Sequence, residues 1–387
     1  MSSSFTSMKK NFFCLFAQKQ ILLFGLAVLS SAASNAQLLD KIMSVKNKNN
    51  LEGKVISNVN MWLYEADLTK TKPGDAFDLI INASLADGKV LTTVGAGKGK
   101  VGWEDYTVDV AGGTFQDGRV LIAKDPRKIQ DQTVTVTATV VSDPSKKSTL
   151  NIPLTYGGTA EIFFAGPSGY NGVMGTHGFQ GKSYDSSHPA TNGQPGTNGS
   201  DGQDGQNGPA LEVFVKTVFN DALHKDLLYI LVKNLSTGRQ GFAMIDPLNG
   251  EAIVCANGGW GGNGGQGGNG GPGGGGGGSG ANGGNGGNGG NGGNGGNGGS
   301  ITMYVDPSAK QYESVLKLSN NGGGGGQPGD GGGRGGKGMV ISGKPEGTDG
   351  NIGLRGQVAG RPGYAGPPPV IKYQAVDINL DEITFTE

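Results

Sequence analysis

Residues that carry chemistry are scarce in this chain of 387 residues. Histidine occurs only as His177, His188 and His224, and no two of them have metal-ligand spacing. No serine sits in a nucleophile elbow; Ser168, in Gly166-Pro167-Ser168-Gly169, belongs to a glycine repeat. With no nucleophile, base or metal cluster to carry it, an enzyme reading has no residues, and neither catalytic residues nor a cofactor or metal site is expected. Cysteine occurs as Cys14 and Cys255. Only Cys255 lies beyond the N-terminal leader, so no intrachain disulfide is expected. Its place in AIVCAN, alternating with Ile253, reads as a small buried apolar residue. The formal net charge is −1 at pH 7, which gives no attraction for nucleic acid or anionic lipid. Long apolar runs are missing too. Ile21–Leu29 is too short to cross a bilayer, and no membrane span is expected.

That short apolar run has company. Lys9, Lys10 and Lys19 give a basic start, and Ser34-Asn35-Ala36 supplies small residues after it. This is the order of a secretory signal peptide over 1–36, cleaved after Ala36, so the expected location is secreted or at the outer cell surface. Residues 37–50 are polar and lysine-rich and read as a tether.

Residues 51–160 read as all-β. Seven segments rich in β-branched and aromatic residues, such as NMWLYEA, FDLIINA and QTVTVTATVV, are separated by turn signals including Asp87-Gly88, Gly112-Gly113 and Asp117-Gly118. The spacing predicts a β-sandwich, immunoglobulin-like, with Trp103 as a core tryptophan and without the disulfide of antibody domains. Gly95 to Gly102 matches a dinucleotide-binding glycine pattern. The segment that follows is strand-like rather than helical, so a hairpin loop is expected. Gly175 to Ser183 fails the spacing of a phosphate-binding loop.

What the chain does have is glycine, 77 residues of it, arranged with a period of three. The runs cover 166–182, 193–208, 258–299, 322–338 and 347–366, the last slipping by one residue at Ala359. A period of three is neither helical nor strand-like. It fits an extended left-handed helix with three residues per turn and about 3.1 Å rise, which makes no internal hydrogen bonds. Its backbone groups must then find lateral partners. In 258–299 two faces are bare glycine and the third carries Asn285, Asn288, Asn291, Asn294 and Asn297. Such segments are expected at the centre of a bundle, with the runs that have one glycine per triplet at its edge. Gly289 and Gly290 should then refuse a side chain. Asn288 should tolerate change, since it is expected to face water or a groove. If the long run turns where Pro272 to Asn282 breaks its repeat, the chain carries about six rods of similar length. A flexible coil is the competing reading of so much glycine. A collagen trimer would need glycine at only every third position and more proline. Asp201 and Asp204 read as solvated residues on a rod edge.

Strands alternate with these runs through 161–387, and a unit echoes: Asp246-Pro247 and Asp306-Pro307 each lead through a strand into a glycine run.

The Gly-Gly-Asn runs resemble the polyglycine II bundles of the snow flea antifreeze protein and of T-even phage tail-fibre tip adhesins. The runs with one glycine per triplet resemble bacterial collagen-like repeats, and the whole is similar to secreted glycine-rich bacterial proteins. The resemblance covers the glycine runs, about a third of the chain. It implies a non-enzymatic structural or adhesive protein presenting a rigid surface, with cell-surface glycans or envelope proteins as partners. A second reading is an adhesin module that contacts glycans through Tyr170, Phe179, Tyr184, Trp260 and Tyr364. Ice binding ranks last, because regular threonines are missing.

Overall fold

The computed structural model describes residues 50–341 and 343–385. The expected signal peptide, and all of the tether but its last residue, lie outside the described residues. Described elements are mainly strands, with 3-10 elements of three to nine residues, and the class is all-β.

The first half holds eight strands: β1 (Ile56–Leu63), β2 (Ala76–Leu85), β3 (Val90–Thr92), β4 (Tyr106–Ala111), β5 (Gly113–Gln116), β6 (Arg119–Ile122), β7 (Thr133–Val140) and β8 (Lys147–Pro153). One sheet has the order β1-β2-β6-β5, with β3 also on β2; the other has the order β4-β7-β8. Every pairing in them is antiparallel. The strand β7 shows why. In TVTVTATV, Val134, Val136, Ala138 and Val140 are buried while the threonines between them are half-buried, the period of two of a strand with one face in a core. Leu79 and Ile81 of one sheet and Ile152 of the other belong to the same core.

The strand β5 was hidden by its glycine. Gly112 turns at φ +85°, as expected, but Gly113 continues as strand, and a Cβ there would lie 2.2 Å from the Leu121 carbonyl oxygen. Asp117 and Gly118 both have positive φ and close the β5–β6 hairpin. Trp103, expected as a core tryptophan, packs against the core from outside the strands. It sits half-buried in the 3-10 turn Trp103–Asp105 before β4, its ring edge-on to Phe115 at 5.1 Å.

The second half adds β9 (Gly158–Phe163), β10 (Leu211–Asn220), β11 (Lys225–Asn234), β12 (Gln240–Ile245), β13 (Gly250–Cys255), β14 (Ile301–Val305), β15 (Leu316–Ser319) and β16 (Val370–Tyr373). The boundary expected at 160 falls inside β9. One sheet runs β12-β11-β10-β14-β16 and the other β15-β13-β9. Val213, Ile230 and Met303 of the first meet Ile162 and Val254 of the second in one core. Cys255 is fully buried.

Neighbours β9–β13–β15 are parallel, and so are β10–β14–β16. Parallel strands cannot be joined by tight turns and need long crossovers, usually helical. Here each crossover includes a pair of glycine segments, which carries the chain from one sheet to the other. From β9 the chain leaves through segment one (165–184) and returns through segment two (190–210) to β10. From β13 it leaves through segment three (256–275) and returns through segment four (280–300) to β14. From β15 it leaves through segment five (320–339) and returns through segment six (345–369) to β16.

None of the six is helix or strand, and their backbone hydrogen bonds go to one another every third residue. Segments one, three and five lie parallel in one row. Gly172 N–H donates to Asn263 O (2.7 Å) and Gly264 N–H to Gln327 O (2.8 Å). Segments two, four and six form the second row, where Gly199 N–H donates to Asn288 O (2.8 Å) and Gly289 N–H to Leu354 O (2.8 Å). Antiparallel bonds join the rows, such as Gly290 N–H to Gly265 O and Gly329 N–H to Gly290 O, both 2.8 Å. Segments three and four each bond to four neighbours; segment one bonds only to two and three, and segment six only to four and five.

After β16 the chain crosses back to the first half. Arg127 of the first half pairs with Asp381 at 2.7 Å, and Phe385 meets Phe242 of β12, in the second half, edge-on at 5.7 Å.

Candidate functional site

The surface with most regularity is the pair of outer faces of the glycine segments, and backbone chemistry builds it. Each triplet without proline has three N–H groups to satisfy. In segment four, the Gly290 N–H goes to segment three and the Gly289 N–H to segment six. Neighbours approach so closely that a Cβ on Gly289 would lie 2.0 Å from Gly329 O, and one on Gly290 2.0 Å from Ser200 O. The remaining N–H, that of Asn288, donates to Asn198 Oδ1 at 2.8 Å.

The asparagine row, expected to face only water or a groove, is therefore part of the lattice. Asn285, Asn288, Asn294 and Asn297 accept the backbone N–H of Asn351, Leu354, Arg361 and Tyr364 of segment six, at 2.8–2.9 Å. Asn291 accepts two, from Gln357 (3.1 Å) and Val358 (3.0 Å). That doubling sits at a bend at Gln357 and absorbs the one-residue slip of the last run. Asp201 and Asp204, expected to be merely solvated, accept the N–H of Asn291 and Asn294 at 2.6 Å each. In the other row Asn171, His177, Asn263 and Asn269 play the same part. Sequence reading missed these bonds. The available signal was that each acceptor side chain falls on the same third position of its triplet as the asparagines.

The five aromatic candidates are not brought together. Tyr170 and Phe179 stand exposed on segment one, separated by nine residues, or about 28 Å of extended three-fold chain. Trp260 lies on the outer side of row one, its backbone N–H donating to Ser168 Oγ at 3.3 Å and its ring over Gly324. Tyr364 belongs to row two, and Tyr184 packs against Gly278 at the far turn. No single ligand of modest size touches them all.

An open cleft of about 330 Å³ lies where the C-terminal stretch crosses between the halves, lined among others by Lys72, Glu161, Phe242 and Phe385. Lys72 is paired with Asp75 at 3.1 Å, and no histidine, cysteine or serine lines the cleft. Among the described residues no group of three or more His, Cys, Asp or Glu side chains could hold a metal ion, and no helix is long and apolar enough to cross a membrane. The Gly95–Gly97 stretch is a 3-10 turn followed by the turn at Trp103, without the helix a dinucleotide site requires. No protein family, curated protein or solved structure matches the chain.

Proposed function

We propose that the chain is a non-enzymatic secreted or cell-surface protein with a structural or adhesive role, in which a polyglycine II bundle presents a rigid surface. The observation that carries this reading is the lateral lattice: segments of similar length, each leaving or entering a sheet, bonded to neighbours at every third residue. At about 3.1 Å per residue, segments of some twenty residues project roughly 60 Å. A projection stiffened along its whole length by backbone bonds suits display or spacing better than catalysis. We read the first half as an immunoglobulin-like base. Taking β1, β2, β4, β5, β6, β7 and β8 as strands A to G, its sheets have the orders ABED and CFG, with β3 as an addition.

The test is cellular. Cells deleted for the chain should attach less to surfaces or to one another, and the intact chain should restore attachment while Gly290→Val should not. The exported protein should begin at Gln37. Unchanged attachment on deletion, or a cytoplasmic protein that keeps Met1 or Met8, would overturn the reading.

A further inference from the structure

We propose that the outer face of segments two, four and six binds an extended, uncharged polysaccharide through a row of oriented asparagine amides. This rests on the reading of the bundle as a presenting surface and names the partner of that surface.

The orientation follows from the lattice. A carboxamide has one acceptor oxygen and a donor NH2 group. The oxygens of Asn285, Asn288, Asn291 and Asn297 are taken by backbone N–H groups of segment six. A flipped amide would set N–H against N–H, so the NH2 groups must face outward. None of these four donates to another group among the described residues, whereas Asn294 Nδ2 leans on Asp204 Oδ2 at 3.4 Å. Asp201 and Asp204 each commit one carboxylate oxygen to the lattice at 2.6 Å, and the second oxygen of Asp201 is left to the face. Fixed donors thus stand beside acceptors.

The spacing selects a polymer. Successive amides lie three residues apart, about 9 Å, and Asn285 to Asn297 spans about 37 Å. The groups form a line, so a small molecule would reach one or two rungs and a linear repeating chain would reach them all. The chemistry selects sugar hydroxyls, which both accept from the amides and donate to the carboxylates. A polyanion would meet Asp201 and Asp204. Tyr364 and Leu354, both well exposed on segment six, flank the row and offer apolar contact to the C–H faces of sugar rings.

The lattice also supplies the variant that tests this. Aspartate keeps the accepting oxygen, as Asp201 and Asp204 already demonstrate, but replaces the outward donor by an acceptor. The measurement is depletion of the full exported chain by suspensions of cellulose and of chitin, with alginate as the polyanion. Wild type should bind cellulose or chitin. Asn285→Asp, Asn288→Asp and Asn297→Asp combined should weaken binding about tenfold or more without lowering the melting temperature. Asn171→Asp, Asn263→Asp and Asn269→Asp, on the other row, add the same charge and should leave binding intact. The proposal is overturned if wild type binds neither neutral glycan, if it prefers alginate, or if both triple variants behave alike. Hydrogen exchange of Gly283 to Gly299 separates two failures. Slow exchange without glycan binding removes this inference alone, and fast exchange removes the rigid bundle as well.

Discussion

At the scale of single residues the bundle divides its positions sharply. Gly290→Val would place a branched side chain against the Ser200 carbonyl, where even a Cβ would stand at 2.0 Å. Relief requires moving backbone, at about 1–3 kcal/mol or more, and the lateral bonds lost with it are worth about 1 kcal/mol each. Amide exchange around 284–296 should accelerate and spread into segments two and three. Asn288→Ala removes the acceptor for Leu354 N–H and should speed exchange there only, while Asn288→Asp and Asn288→Ser, which keep a side-chain acceptor, should change little. Equal exchange in all four variants would rule out the lattice. The bare faces were legible in the sequence because steric emptiness is local. The acceptor role of Asn288 was not, because its partner Leu354 lies 66 residues away and glycine spacing does not reveal which run is the neighbour.

Asp246 makes a second residue-scale case, in the Asp-Pro turn between β12 and β13. Burial opposes its charge, but hydrogen bonds from Lys225 (2.9 Å), Asn249 (3.0 Å) and Leu248 (2.9 Å) outweigh that and hold the carboxyl below the ordinary carboxylate range. A depressed acid stabilises the fold above its unfolded pKa, near 4, and the contribution fades as pH falls through its lower folded value. Asp246→Asn should therefore cost about 2 kcal/mol at neutral pH, with the gap to wild type closing as the solution is acidified below about pH 4. Melting curves of both proteins across that range check it; a gap independent of pH would refute the assignment.

At the scale of elements, the strands with clean alternation were legible. The strand β7 matches QTVTVTATVV within a residue or two at each end. The strand β5 was not, since Gly113 looks like a turn until the close approach of Leu121 explains it. Strands were expected to alternate with the glycine runs, yet between the last two runs, among the described residues, Val340 makes only an isolated bridge to Gly276. Nor did the sequence reveal how firmly the halves are joined. Leu227 and Met244 of the second half lie in the core of the first, and Asp246 N–H donates to Tyr156 O at 2.8 Å. Residues 50–156 expressed alone should accordingly give a β-type circular dichroism spectrum and melt cooperatively, at a lower temperature than the same unit in the full chain. A helical or coil spectrum would contradict the two-sheet base.

At the scale of the whole molecule, the sheets set the register of the bundle. Ala160 of β9 pairs with Ala252 of β13, an offset of 92 residues, and the Asn171–Asn263 contact between segments one and three has the same offset. In row two, Leu211 pairs with Ile301 and Asn198 with Asn288, both 90 residues apart. Each segment is thus anchored at its sheet end and its far turn is free to vary, which predicts where an insertion matters. One glycine added at the turn over 276–279 should leave exchange in the segments unchanged. One glycine added after Gly261 would shift the rest of segment three by one residue and turn the side chains of Asn263, Gln266 and Asn269 inward against four neighbours. Exchange should rise beyond the insertion in segment three and in the segments bonded to it. Segment six already carries one extra residue at Gln357, and it does so at the edge, with neighbours on two sides only. An extra glycine there should do less than one after Gly261. A flexible linker would respond alike to all three insertions, and a collagen-type assembly would reveal itself by a trimeric mass in light scattering. Either result would displace the packed bundle, while a graded response, greatest at the centre and least at the turn, would follow from its geometry.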